Sequence, residues 1–170
     1  MPDASFIFKT DRLVLRKLSL DDATFILELV NTPGWLKYIG DRNVHSIEDA
    51  RAYLGNGPLK SYRENGFGLW KVELSGQPIG MCGILKRAEL NLPDLGFAFL
   101  PAYKGLGYAH EAVAATLSYA CEVLRLSKLS AIVQADNARS IALLKNNGFV
   151  RVGNFSFPGK EEVLELYETN

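Results

Sequence analysis

The spacing of hydrophobic positions changes several times along the chain. A stripe of apolar and small side chains at helical spacing runs through residues 109–124 and predicts the strongest helix. Residues 129–135 carry apolar side chains at every second position, which is typical of a strand. Ser19, Ser46 and Asn137 each stand just before a helical pattern, and such side chains cap the free amides of a helix N-terminus well.

The pattern along the whole chain predicts a mixed sheet layered with helices. The predicted strands are 12–18, 67–74, 79–85, 94–100, 129–135, 149–156 and 162–167. The predicted helices follow Ser19, Ser46 and Asn137 and occupy 109–124, while Pro58 opens a further helical segment to about residue 64. Thr32-Pro33-Gly34 is predicted to stop the first helix. Strands and helices do not alternate strictly, so the fold class is α/β but not doubly wound.

Composition narrows the range of functions. A chain of 170 residues with 48% apolar and 22% charged residues is typical of one globular domain and excludes general disorder. Lys and Arg number 19 and Asp and Glu number 19, so the net charge is zero and a nucleic-acid partner is not favoured. Oligomeric state is not readable from the sequence, and both a monomer and a homodimer stay open.

Cysteine usage and the absence of long apolar runs predict a cytoplasmic protein without a membrane partner. The two cysteines, Cys82 and Cys121, are too few for a disulfide framework or a zinc site, and we expect no metal. No apolar run approaches the ~20 residues of a membrane helix. The first residues lack the basic and apolar regions of a signal peptide.

The candidate chemistry lies in a glycine-bearing loop between a predicted strand and the strongest predicted helix. Gly105 and Gly107 allow a ligand to approach the backbone closely, and the first turn of the helix leaves amide groups free for an anion. A Walker loop is excluded because Gly107 is followed by Tyr108-Ala109 and not by Lys-Ser or Lys-Thr. A dinucleotide fingerprint lacks its third glycine, which makes a nicotinamide-dependent oxidoreductase a poor fit.

Three segments together resemble the GNAT N-acetyltransferase superfamily. Residues 104–109, Lys-Gly-Leu-Gly-Tyr-Ala, resemble its acyl-CoA loop [QR]-x-x-G-x-[GA], except that Lys104 replaces Gln or Arg. Residues 10–16 resemble the opening TERLxLR of the subgroup similar to Rim-type N-terminal acetyltransferases. Residues 105–112 resemble its GxGYAxEA, and residues 137–149 resemble its NxxSI and following Gly-Phe. The resemblance spans nearly the whole chain and implies one acetyltransferase domain over residues 1–170.

The resemblance implies a mostly antiparallel central sheet flanked by helices, with acetyl-CoA as co-substrate. It also implies that the strand around residues 97–99 splays from its neighbour, which frees main-chain groups for pantetheine and for the developing oxyanion. The residues that it assigns to the co-substrate are Phe97, Ala98, Phe99, Lys104, Gly105, Leu106, Gly107, Tyr108, Ala109, Asn137 and Ser140.

Three side chains are candidates for the chemistry itself: Ser140, Asp94 and Asn137. The wider superfamily has a tyrosine where this chain has Leu144, so protonation of the leaving thiolate falls to Ser140 or to water. Asp94 is either the general base or a solvated residue at the start of a strand. Asn137 caps a helix, contacts the co-substrate, or does both. Glu111 is interpreted as structural because acids are favoured in a first helical turn.

The resemblance implies direct transfer of an acetyl group to a primary amine, with a protein N-terminal α-amine or a small molecule as the acceptor. The acceptor pocket is expected from the region between residues 33 and 66, with Trp35 and Tyr38 forming its wall from the loop between the first two helices. A non-catalytic acyl-CoA-binding regulatory module on the same fold is the alternative, because fold does not fix function. The cysteines are interpreted as buried thiols and not as nucleophiles.

Overall fold

The computed structural model describes residues 3–170, which form one eight-stranded sheet with helices on both faces. The strands are β1 (Phe6–Lys9), β2 (Leu13–Lys17), β3 (Leu69–Leu74), β4 (Gln77–Leu85), β5 (Asp94–Phe99), β6 (Ser130–Gln134), β7 (Phe149–Phe155) and β8 (Leu164–Thr169). The helices are α1 (Ala23–Leu29), α2 (Pro33–Tyr38), α3 (Ile47–Asn56), α4 (Pro58–Asn65), α5 (Tyr108–Glu122) and α6 (Ala138–Asn146).

The strand order is β1-β2-β3-β4-β5-β6-β8-β7. Every neighbouring pair is antiparallel except β5 and β6, which run parallel. A parallel pair needs a long crossover connection, and here α5 supplies it. The predicted class, a mixed and mostly antiparallel sheet flanked by helices, is confirmed.

Successive residues of β4 point to opposite faces of the sheet and so belong to two different buried clusters. Cys82 packs in the larger cluster, with α5 and α6, and Met81 packs in the smaller one, with α1, α2 and α3. Helix α5, which follows the glycine loop, therefore lies on one face of the sheet, and α2 and α3 lie on the other.

The predicted helix starts are confirmed by their hydrogen bonds. Ser19 and Asp22 form a reciprocal capping box over a short 3-10 turn that leads into α1. The hydroxyl of Ser46 accepts from the main-chain amide of Asp49 at 3.0 Å at the start of α3. Asn137 caps α6 in the same way.

Two elements escaped the sequence prediction. Strand β1 pairs with β2 ahead of what was expected to be the first strand, but it has only four residues, too few for a clear alternation. Helix α2 begins where Thr32-Pro33-Gly34 was expected only to end a helix. Thr32 caps α2, and Pro33 occupies its first turn, where a missing amide hydrogen costs nothing. The expectation that Trp35 and Tyr38 lie in a loop is therefore wrong, because both are in α2.

Within residues 3–170, no helix combines the length and the apolar character that are needed to cross a membrane.

Candidate active site

Strands β5 and β6 touch at one end and separate at the other. Their single register pair joins Asp94 to Ser130, and beyond it a cleft of about 1320 Å³ opens between them. Phe97 and Ala98 line the cleft from β5, while Ile132 and Val133 line it from β6. The other edge of β5 is fully paired with β4, so the edge that faces the cleft keeps main-chain groups without a strand partner. The predicted splay of this strand is confirmed.

The glycine loop lies at the wall of this cleft and leads directly into α5. Gly107 is the N-cap of α5 with φ 85°, and Gly105 has φ 78°, conformations that favour glycine. No side chain among the described residues caps this helix, so its first amides stay free to meet an anion. A Cβ atom added to Gly105 would meet nothing within 4 Å. The loop therefore forms an open cradle suited to a pyrophosphate such as that of coenzyme A.

The turn between β1 and β2 holds the cradle from outside the cleft. The Arg12 guanidinium donates to the main-chain carbonyl of Leu106 at 3.1 Å and to the Glu111 carboxylate at 2.7 Å. It also stacks on the ring of Tyr108, 4.4 Å from the centroid. Glu111 accepts further hydrogen bonds from the Arg12 amide and from the hydroxyl of Thr10. This network agrees with the structural interpretation of Glu111 and ties two motifs that lie about 95 residues apart in sequence.

Most residues that were assigned to the co-substrate line the cleft. They are Phe97, Ala98, Phe99, Lys104, Gly105, Gly107, Ala109, Asn137 and Ser140. Leu106 and Tyr108 do not line it: the Leu106 side chain is exposed to solvent, and the Tyr108 ring packs against Arg12. A contact of these two residues with coenzyme A through the main chain stays a prediction.

Lys104, the residue that departs from the family pattern, reaches across to α2. A Cβ atom added to Gly34 would lie 2.7 Å from the Lys104 ammonium nitrogen. Glycine at position 34 therefore leaves room for this side chain, which links the cradle to the opposite wall of the cleft.

Asp94 is the first residue of β5, at the point where the two strands begin to part. It is 1% exposed, and the Arg87 Nε atom donates to both carboxylate oxygens, at 3.1 and 3.3 Å. Burial raises the pKa of Asp94 to about 6, and the Arg87 charge opposes the rise. The solvated alternative for Asp94 is therefore wrong. The carboxyl group is a stronger base than an ordinary aspartate and still mostly ionised at pH 7.

Helix α6 brings two of the predicted chemical groups to the opposite wall. The Asn137 side chain accepts from the Ser140 amide at 3.3 Å, so its capping role is confirmed. The Ser140 hydroxyl makes no hydrogen bond to any residue within 3–170 and lines the cleft. Leu144 also lines it and is buried, so no phenol stands at this position.

Replacing Asn137 with alanine is expected to lower the free energy of unfolding by about 1 kcal/mol, because α6 loses its N-cap. Asn137→Ser keeps a capping oxygen and is expected to recover most of that loss. Urea titrations of the three proteins followed by circular dichroism measure the difference. Equal stability of the alanine variant and the wild type would contradict the capping role.

Residues of α2, α3 and the loop between them also line the cleft, within the region between residues 33 and 66. That this end of the cleft binds the acceptor stays a prediction. Trp35 and Tyr38 both line it. Trp35 is 5% exposed, and its indole nitrogen has no hydrogen-bond partner among the described residues. Arg42, Tyr53 and Arg87 also line this end. No motif marks these three residues in the sequence: Arg42 and Tyr53 belong to the stretch between residues 33 and 66, and Arg87 belongs to the loop between β4 and β5.

The cysteines contribute no nucleophile to the cleft. Cys82 is fully buried, with its sulfur 3.3 Å from the Thr116 hydroxyl. Burial raises the pKa of its thiol to about 12, so the thiolate is scarce at neutral pH. Cys121 is exposed, so the interpretation as a buried thiol is wrong for this residue, and it lies outside the cleft lining.

Known proteins share both the sequence pattern and the fold. The family model described as acetyltransferase (GNAT) domain matches residues 12–150. The uncharacterized N-acetyltransferase YoaA of Bacillus subtilis (strain 168) is 29% identical over 150 residues, which cover 86% of this chain and 84% of that protein.

Solved structures agree with this match. A GNAT-family acetyltransferase from Bacillus anthracis is 27% identical with a TM-score of 0.77, over 96% of both chains. Ribosomal-protein-S5-alanine acetyltransferase from Vibrio fischeri has a TM-score of 0.78 at 19% identity, over 95% of this chain and 94% of that one, and shows the shared fold. Because the family match spans most of the sequence and the splayed strands bear the glycine cradle, the chain belongs to the GNAT family of acetyl-CoA-dependent N-acetyltransferases.

Proposed function

We propose that this enzyme transfers the acetyl group of acetyl-CoA directly to the α-amine of a protein N-terminus. The observation that carries the proposal is one continuous cleft that joins the glycine cradle to a buried carboxylate at the point where β5 and β6 part. The fold shared with the S5-alanine acetyltransferase from Vibrio fischeri supports the acceptor class.

The acceptor chemistry also favours an α-amine. An α-amino group has a reference pKa of about 7.7–8.0 and a lysine side chain about 10.4, so at pH 7 the α-amine is several hundred-fold richer in its neutral, nucleophilic form. A single carboxylate with a pKa of about 6 is then a sufficient base.

Main-chain groups bind and orient acetyl-CoA in this proposal. The free amides at Gly105, Gly107 and the first turn of α5 hold its pyrophosphate. The unpaired edge of β5 around Phe97 and Ala98 holds the pantetheine arm and donates to the thioester oxygen as it becomes anionic. Losing one such donor typically costs about 10²–10³-fold in rate.

Side chains move the protons. Asp94 accepts a proton from the attacking amine, through a water molecule, as the carbon–nitrogen bond forms. The carbon–sulfur bond then breaks, and the departing thiolate takes a proton either from water or from the Ser140 hydroxyl, which regains its proton from water. No covalent acyl-enzyme is required, because the thioester is already activated and Cys82 is out of reach in the core.

Replacing Ser140 with alanine is expected to lower kcat by about 10–100-fold and to leave acetyl-CoA affinity within about twofold. The helix cap survives, because Asn137 accepts from the amide of residue 140 and not from its hydroxyl. Steady-state kinetics and calorimetry separate the two quantities, with Ser118→Ala on the exposed side of α5 as the matched control. An unchanged kcat would remove Ser140 from the mechanism and leave water as the acid.

The test of the proposed function is a panel of peptides with free and with blocked N-termini, incubated with acetyl-CoA and analysed by mass spectrometry. We expect one added acetyl group on free α-amines and none on blocked peptides that keep a lysine. Binding of acetyl-CoA without transfer to any amine would instead favour the alternative, a non-catalytic acyl-CoA-binding regulatory module.

A further inference from the structure

The acceptor end of the cleft contains two arginines whose guanidinium groups keep hydrogen-bond donors without a partner among residues 3–170. Arg42 lies on the exposed loop between α2 and α3 and makes no hydrogen bond or ion pair with another residue in 3–170. Arg87 donates to Asp94 through Nε alone, and its two terminal nitrogens have no hydrogen-bond partner in the same part of the chain. Both residues line the cleft.

A hydroxyl group accompanies the two arginines. Tyr53, from α3, lines the cleft, and its hydroxyl makes no hydrogen bond to a described residue. Burial raises the pKa of Tyr53, while the charges of Arg42 and Arg87 oppose the rise. Tyr53, Arg42 and Arg87 line the same cleft, so the three side chains bring unused hydrogen-bond donors to it.

Two of the three acids that line the cleft, Asp49 and Asp94, have partners of their own, while the side chain of the third, Asp136, has no hydrogen-bond or ion-pair partner among residues 3–170. The Asp49 carboxylate accepts from the His45 amide at 3.0 Å, which lowers the pKa of Asp49 and holds the group at the start of α3. Asp94 is paired with Arg87. Glu89 is near enough to raise the pKa of Asp94, but it is exposed and lies outside the cleft lining. Arg42 and the two terminal guanidinium nitrogens of Arg87 therefore stay available to a ligand.

The position of Arg87 is set on two sides. Its guanidinium lies 5.6 Å from the centre of the Phe157 ring, and its Nε is held by Asp94. A guanidinium fixed in this way offers its remaining donors in a plane that matches a carboxylate. The Nε side of the Arg87 guanidinium contacts Asp94. A carboxylate bound to the two terminal nitrogens would therefore lie about one guanidinium width from Asp94, the proposed general base.

We propose that Arg42, Arg87 and Tyr53 form a subsite for a carboxylate that the acceptor carries a few bonds from its reactive amine. This inference rests on the proposed function and adds the substrate class. Two sources supply that chemistry: the α-carboxylate of a free amino acid, and the side-chain carboxylate of an acidic first residue of a peptide. In both, the amine falls next to Asp94 when the carboxylate meets Arg87.

Matched acceptor pairs distinguish the two sources. Alanine and alaninamide differ in the α-carboxylate, and the peptides Asp-Ala-Phe-amide and Asn-Ala-Phe-amide differ in the side chain. We expect kcat/KM to be at least about tenfold higher for the acidic member of one pair, as for a charge-assisted bidentate contact. The pair that shows the preference identifies the source.

The variant Arg42→Gln is expected to reduce that preference to below about threefold. The change should come from a lower kcat/KM for the acidic acceptor alone, and the KM for acetyl-CoA should stay unchanged. Arg51→Gln is the matched control, since Arg51 is exposed on α3 and outside the cleft lining; it should keep the full preference. Two results would overturn the subsite while the acetyltransferase proposal stands. One is that the wild type has equal kcat/KM for the two members of each pair. The other is that Arg42→Gln lowers kcat/KM equally for the acidic and the neutral member. No turnover of any of the four acceptors, with acetyl-CoA still bound, would overturn both.

Discussion

Replacing Gly105 with glutamate is expected to lower acetyl-CoA affinity by at least about 100-fold. The new side chain would project from an open loop at the wall of the cleft and set a negative charge against the pyrophosphate. Losing one or two charge-assisted hydrogen bonds, each of about 1.5–3 kcal/mol, corresponds to a change of this size. Isothermal titration calorimetry with acetyl-CoA measures it directly.

The chain offers a closely matched control in Gly76→Glu. Gly76, in the turn between β3 and β4, has φ 81° against 78° for Gly105, and an added Cβ atom meets nothing within 4 Å at either position. Both variants therefore carry the same backbone strain, but Gly76 lies outside the cleft lining. Equal and undiminished affinity in the two folded variants would show that the loop does not bind the pyrophosphate.

Replacing Asp94 with asparagine is expected to lower kcat/KM by about 10²–10⁴-fold, because the amine loses its general base. Asparagine keeps the shape of the side chain and an oxygen for Arg87, so acetyl-CoA affinity should stay within about twofold. Initial rates on an unblocked peptide, together with a calorimetric titration, check both parts.

The pH profile tests the same residue independently. As the proposed base, Asp94 would act only when deprotonated, and burial raises its pKa to about 6, so the wild-type rate should fall as the pH drops through 6. The acceptor α-amine, with a pKa of about 7.7–8.0, adds a second rise toward pH 8. The asparagine variant should keep this second rise alone. If the rate of the asparagine variant still falls as the pH drops through 6, the general base is a group other than Asp94.

Loss of folding is not expected to complicate the Asp94 experiment. A carboxyl group whose pKa is raised in the folded state stabilises the protein at low pH, and that contribution is lost as the pH rises through about 6. At pH 7–8 the buried carboxylate already carries its desolvation cost, offset in part by Arg87. A neutral asparagine avoids that cost, and the Arg87 side chain, which is 29% exposed, keeps contact with solvent after the pair is broken. Thermal melts at pH 8 should therefore find the variant folded.

The glycine cradle and the sheet could be predicted because they depend on local patterns. Helical spacing in residues 109–124, alternation in 129–135 and the capping residues each have a physical cause within a few positions of the chain. Helix α2 was missed for a reason equally local: Thr32 and Pro33 end one helix and begin the next, and a pattern of six residues is too short to reveal the second.

The environment of Asp94 could not be predicted, because burial is a property of the assembled chain. From the sequence, an aspartate at a strand start is as compatible with solvent as with a core. Only the pairing of β5 with β4 and β6, and the approach of Arg87, decide that it is enclosed. The fold alone brings Arg42, Tyr53 and Arg87 to the lining of one cleft, so no spacing in the sequence marks them.

The contact of Arg12 with Leu106 and Glu111 connects the outermost edge of the sheet to the co-substrate cradle. An edge strand such as β1 frays more easily than a central one, and local opening there would release the β1–β2 turn that supports the loop. The binding of acetyl-CoA and the order of β1 are then thermodynamically linked, because a ligand that requires the intact loop also stabilises the β1–β2 turn that supports it. Residues 3–12, which do not line the cleft, are thus expected to help determine how tightly the enzyme holds acetyl-CoA.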